Sequence, residues 1–512
     1  MTSCLDFGQS IPGTGSHGSP VERHAEACPQ PHRLTVLTGI DLAMDERSGP
    51  APRRIFRTKP IQELVESTGG EHALKRVLNP FELVLFGIGA VVGTGIFVIT
   101  GVAAANFAGP AVVVSFVVSG IVCLFAALCY AEFAAMVPVA GSAYTYSYVS
   151  LGEIWAWIIG WDLFLEYSVA VAAVAIGWSG YVVNLLQEVG ITLPAALVNP
   201  PGVAGGLINL PAVLIITAIT ALLIIGVKES ARINTVIVVV KVAVILLFLY
   251  LGFSHIDPAN WNPFLPFGWG GVVTGAAIVF FAYIGFDAVS TTAEEVRNPQ
   301  RDLPIGLLGS LLIATVLYVA VSLVLTGIVP YADLNVPAPV AFALDRIGIA
   351  WGGALVSVGA LLGITSVLLV LLFGQTRIIF AMSRDGLLPA AFRKVHPVFR
   401  TPVNVTLLVG LVTAAIASLL PLGSVAELVN IGTLAAFIIV SAGVIVLRRT
   451  RPDAPRPFRV PLVPALPLLT ILSCGYLIVA LPTVTHLRFV IWLLIGLVVY
   501  FAYGSRRTGA AG

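Results

Sequence analysis

The sequence predicts an all-α integral membrane protein with twelve spanning helices, and three observations carry that prediction. Of its 512 residues, 58% are hydrophobic and only 11% charged, whereas a soluble domain is about 45–50% apolar and about 25% charged. The apolar residues gather in runs close to the ~20 that a helix needs to cross a bilayer. Two of those runs are interrupted by glycine at corresponding places.

Residues 1–78 form a polar tail rich in Gly, Pro, Arg and Asp, expected to be cytoplasmic and largely disordered. It has no h-region of the kind that marks a signal peptide, so the first spanning helix serves as the insertion signal. Segments one to six then follow at 81–106, 111–137, 154–184, 208–227, 233–253 and 270–292. Segments seven to twelve lie at 303–329, 352–378, 404–421, 425–447, 462–481 and 488–504.

Short loops rich in Lys and Arg stay in the cytoplasm. Of the 28 Lys and Arg residues, only Arg346 and Arg488 fall outside when the amino terminus is placed inside, and Lys241 lies within segment five. Both termini are therefore expected in the cytoplasm, with the protein multi-pass in a cell membrane, plasma or bacterial inner. The net charge of +2 reflects topology and implies no nucleic-acid partner. Cys4, Cys28, Cys123, Cys129 and Cys474 lack metal-site spacing; Cys123 and Cys129 read as small apolar core residues.

Segment one breaks at Gly93-Thr94-Gly95 within GIGAVVGTGIF, and segment six at Tyr283-Ile284-Gly285, just before Asp287. In inverted-repeat transporters the discontinuous helices lead the two halves and meet near the midplane at the substrate site. Unwound backbone in hydrocarbon is tolerated only where it lines a cavity or meets a ligand. An α-amino acid supplies what such groups lack: a carboxylate for freed N–H groups, here at Thr94 and Gly95, and an ammonium for freed carbonyls. A lone Gly89-xxx-Gly93 would more simply be a helix-packing motif; the matched break in segment six favours the site.

GIGAVVGTGIFVITG in segment one, FFAYIGFDAVSTTAEEVRNPQRDLPIG at 280–306 and GQTRIIFAMSRDGLLP at 374–389 resemble the cationic amino acid transporter family of the amino acid–polyamine–organocation superfamily, over residues 75 to 505. The resemblance implies a five-plus-five inverted-repeat core, with repeats at 79–253 and 268–447 and two peripheral helices at 460–505. It places substrate contacts on the backbone of Val91, Thr94 and Gly95 and of Phe281, Ala282 and Ile284, with the Phe281 ring as lid or core. Substrates of the family are cationic or small neutral amino acids, and the sequence leaves both open.

Ionisable residues inside spanning helices are costly and mark functional candidates. Lys241 lies about nine residues into segment five, ~13 Å deep at 1.5 Å per residue. In proton-coupled relatives that the chain resembles, a lysine in segment five takes the place of a sodium ion between segments one and eight. Lys241 is therefore a candidate for coupling closure to the proton, against a plain structural tether. Asp162 and Glu166, one turn apart in segment three, share a face; Glu166 either neutralises a cationic side chain or fixes packing. Asp287 either caps the second half of segment six or takes part in proton transfer. Glu132, and Glu294-Glu295 with Arg297 and Arg301, are expected in gate or loop ion pairs.

The reading is thus a secondary active permease that works by alternating access on an amino acid and protons, embedded in the lipid bilayer. No cofactor or metal is expected, and the sequence leaves the oligomeric state open, a monomer included. An uncoupled exchanger or uniporter remains open, as does a sensor that binds amino acids without moving them. A channel would show rings of like charge or a continuous polar path, and neither is visible. An enzyme would need a nucleophile-base pair or metal ligands; His17, His24, His32 and His72 lie in the tail and His255, His396 and His486 in loops.

Overall fold

The computed structural model describes residues 56–66, 78–139, 141–225, 231–399 and 401–504. Eight of its helices are long and apolar enough to cross a membrane, and four shorter apolar ones accompany them at Pro80–Val91, Leu210–Ile225, Val403–Leu419 and Ala465–Val479. Together they account for all twelve predicted segments, each within a few residues of its expected bounds except at the end of segment eight.

Segment one begins at Pro80, in the first helical position where the missing N–H costs nothing. Asn79 and Glu82 close a capping box: Glu82 N–H donates to Asn79 Oδ1 at 3.0 Å and Asn79 N–H to Glu82 Oε2 at 2.9 Å. The helix ends at Val91. The chain resumes at Gly95 as a π-helix and runs with segment two as one apolar stretch, Gly95–Met136. A turn at Gly109, whose φ of +61° suits only glycine, separates the two.

Segment eight is a single helix, Ala350–Arg384, so part of the 374–389 motif belongs to the helix rather than to the loop after it. Two helices escape a search for long apolar runs: Ser142–Ser150 before segment three and Pro339–Arg346 before segment eight. Segments seven and eight are the central struts. Seven packs on two and one, eight on three and five, and ten lies across three.

Within the predicted tail, 56–66 is folded, with a helix at Ile61–Glu66; the rest of the tail's expected disorder lies outside the described residues. Lys59 pairs with Asp385 at 2.7 Å and sits over the Tyr148 ring, which fastens this stretch to the end of segment eight. Glu132 is held by three groups: Arg448 at 2.6 Å, Arg456 at 3.4 Å and the Val460 amide at 2.7 Å. The Arg456 Nη groups in turn donate to the carbonyls of Leu447, Arg451, Pro452 and Ala454, closing the loop after segment ten. Glu295 pairs with Arg377 of segment eight at 3.6 Å.

Candidate functional site

The two interruptions fall where the glycines place them. In segment one Val92 is extended (φ −79°, ψ 99°) and the amides of Gly93, Thr94 and Gly95 make no backbone hydrogen bond among the described residues. In segment six a 3₁₀ turn at Phe280–Tyr283 gives way to extended Ile284 and to Gly285 at φ +104°, before a short helix at Ala288–Thr291. The breaks touch: a Cβ at Gly95 would overlap Ala282, so only glycine allows this approach.

Freed carbonyls need donors, and three buried side chains from other segments supply them. Lys241 is 0% exposed. Its Nζ donates to the carbonyls of Gly89 and Val92, both at 2.9 Å, and contacts Ser366 Oγ at 3.1 Å, joining segment five to segments one and eight. From segment seven, the Tyr318 hydroxyl lies 3.0 Å from Val91 O and 2.7 Å from Ala282 O, so one phenol serves both breaks. In segment ten the Asn430 amide donates to Ala277 O at 2.7 Å and Ile278 O at 3.2 Å, at the end of the first half of segment six. Thr94 Oγ1 reaches Val174 O at 3.4 Å on segment three.

Between the breaks lies a cavity of about 10 Å³. That is about the space of a single water, so with the breaks in contact the cavity is closed to anything larger. Val91, Thr94, Gly95, Phe281 and Ile284 line it together with Ala90 and Gly93. Ala282 contacts Gly95 without lining the cavity. The remaining walls are Ala170 and Val174 of segment three and Val367 and Leu371 of segment eight. Every side-chain wall other than Thr94 is apolar.

Glu166 does not line this cavity. It is buried beside segment ten, where Gly432 leaves room for Asp162 and Glu166 to approach. Both Asp162 oxygens, Glu166 Oε2 and the neighbouring Tyr167 hydroxyl have no hydrogen-bond partner among the described residues. Asp287 follows the segment-six break at the N-cap of Ala288–Thr291, and its carboxylate faces the Ser142 hydroxyl at 3.4 Å. No Lys or Arg pairs with these three acids among the described residues.

Tyr318 and Asn430 bond carbonyls at the interruptions and Ser366 bonds Lys241, and none of the three stands out in the sequence. A lone polar residue in an apolar run was the available signal, but helices seven, eight and ten hold several, and nothing local tells which one faces a break.

A family model described as an amino acid permease matches residues 78–502. The branched-chain amino acid permease BcaP of Bacillus subtilis is 53% identical over 458 residues, covering 89% of this chain and 98% of that protein. The methylthioribose transporter of the same organism is also 53% identical, over 455 residues and with the same coverage. Human cationic amino acid transporter 4 is 39% identical over 417 residues, 79% of this chain and 64% of that protein.

Proposed function

The chain belongs to the amino acid permease family, a family of membrane transporters, and on that premise we propose that it is a proton-coupled permease for neutral amino acids with aliphatic side chains. It works by alternating access in the plasma membrane with both termini in the cytoplasm. The observation that carries the reading is the pairing of three amides, at Gly93, Thr94 and Gly95, that make no backbone hydrogen bond among the described residues with side-chain walls that are apolar except for Thr94. The amides receive the substrate carboxylate and the carbonyls near Phe281 and Ile284 its ammonium. Ala170, Val174, Val367 and Leu371 then enclose the side chain. A cationic side chain enclosed by those walls would lie unpaired, at a cost of several kcal/mol. The printed name of the first Bacillus relative supports an aliphatic substrate.

Segments one to five and six to ten act as the two inverted repeats. What supports this is that a polar side chain from the fifth helix of each, Lys241 or Asn430, holds carbonyls at the interruption of the first. Lys241 couples transport to the proton: as an ammonium it ties Gly89 and Val92 to Ser366, and on losing its proton it releases segment one from segment eight. Asp287, with Glu166 and Asp162 behind it, takes part in moving that proton, and Glu166 has no share in choosing the substrate.

Uptake into proteoliposomes from a panel of leucine, isoleucine, valine, arginine and methylthioribose tests the assignment. Gradient-driven accumulation of the three aliphatic amino acids with little of the others is expected. Preferential accumulation of arginine or of methylthioribose would overturn it.

A further inference from the structure

A cavity on the face opposite the amino-terminal stretch is separate from the central one. It measures about 450 Å³, inside the ~300–1,000 Å³ range of small-molecule sites. We propose that it is a second, outer amino acid site, in which an aliphatic amino acid docks before reaching the breaks. The proposal rests on the aliphatic reading above.

Its position puts it on the substrate's way. Val98, in the second half of segment one, and Ile278, in the first half of segment six, belong to its wall. Gly177 lines it too and packs directly on Thr94, so a single helix thickness divides the outer cavity from the inner one. Most of the lining is aliphatic, which suits a branched side chain.

Beside Asn106, Asn199 and Asn335, the wall holds two polar groups that match the two ends of a zwitterion. Asn209 is 2% exposed. Its Oδ1 is taken by Ser179 Oγ at 2.7 Å and by the Ala212 amide at 3.3 Å. The Ala212 bond fixes which end of the amide is oxygen, so the NH₂ group is the free end, and it makes no hydrogen bond among the described residues. Beside it the long helix Leu422–Thr450 starts at the cavity with no side-chain cap, leaving the first amides, at Leu422 and Gly423, open. A carboxylate is the group that both would bind.

Glu427 supplies the opposite charge from the next turn of the same helix. Its Oε2 accepts from Thr485 Oγ1 at 2.6 Å, and no Lys or Arg pairs with it among the described residues. Its other oxygen is available to an α-ammonium. Carboxylate at the helix start and Asn209, ammonium at Glu427, and side chain along Val98 and Ile278 account together for the features of the cavity.

Equilibrium binding of radiolabelled L-leucine to the full chain in nanodiscs tests this, with Glu427→Gln, Asn209→Ala and Gly95→Val. Asn209 also supports the start of segment four, so Glu427→Gln, which keeps the shape and the Thr485 contact, is the decisive variant. The wild type should bind a second leucine per chain more weakly than the first. Glu427→Gln should weaken that second event about tenfold and leave the first unchanged, while Gly95→Val removes the first and spares the second. A single binding event that Glu427→Gln leaves intact, or one that both variants abolish, overturns the outer site alone. No leucine binding by the wild type overturns the aliphatic reading together with it.

Discussion

Replacing Lys241 by Met removes the ammonium and keeps most of the side-chain volume. The Gly89 and Val92 carbonyls lose their donor, each 2.9 Å away, in a place that water does not reach. Ser366 loses less, because its hydroxyl still donates to Gly363 O at 2.8 Å. Each abandoned carbonyl costs about 1–3 kcal/mol, so the closed conformation weakens by about 2–6 kcal/mol relative to any state in which those carbonyls are hydrated. At 1.4 kcal/mol per decade this shifts the closed-to-open ratio by about 30- to 20,000-fold. The assay is uptake of radiolabelled leucine into proteoliposomes with an acidic exterior, beside leucine–leucine counterflow without a gradient. Concentrative uptake should disappear in Lys241→Met while counterflow persists at a reduced rate. Accumulation that follows the proton gradient as in the wild type would refute the coupling role.

Gly95→Val forces a side chain into Ala282; leucine binding at the central site should fall at least about a hundredfold with little loss of folded protein, read by binding and by thermal unfolding in detergent. Tyr318→Phe leaves Val91 O and Ala282 O without their shared donor, so leucine affinity should drop about tenfold for the ~1–2 kcal/mol lost, and an unchanged KM would count against this link between the breaks. Glu166→Gln should leave the ratio of leucine to arginine uptake unaltered, since Glu166 stands away from the cavity wall; selective loss of arginine uptake would return it to the substrate site. Glu132→Gln breaks a buried, three-partner anion site, and a loss of about 3 kcal/mol should show as a melting temperature lower by several degrees with transport selectivity intact.

The architecture was legible because lipid permits so few ways to satisfy a backbone. Twelve apolar runs could only be helices, and the matched glycine positions at 93–95 and 285 pointed to places where a helix stops. Lys241 stood out for the same reason: no charge lies that deep without partners. What sequence left hidden are relations between helices. Spacing puts Asp162 and Glu166 on one face but does not say that the face turns to Gly432 and away from the breaks. Nothing near Tyr318 or Asn430 announces that each reaches a carbonyl over a hundred positions removed or on a neighbouring segment. The short helix at Ser142–Ser150 carries four serines and threonines among nine residues, so an apolar-run reading passes over it. Glu295 illustrates a further limit: Arg297 and Arg301 are nearer in the chain, yet it pairs with Arg377 from segment eight.

The central claim is that the interrupted backbone itself grips the two charged ends of an amino acid. A high-resolution structure of the full chain with L-leucine bound tests it most directly. Leucine should lie between the breaks, its carboxylate on the amides of Gly93 to Gly95 and its side chain against Val174 and Leu371. A leucine whose carboxylate and ammonium are held by side chains elsewhere, with the breaks still closed on one another, would contradict it.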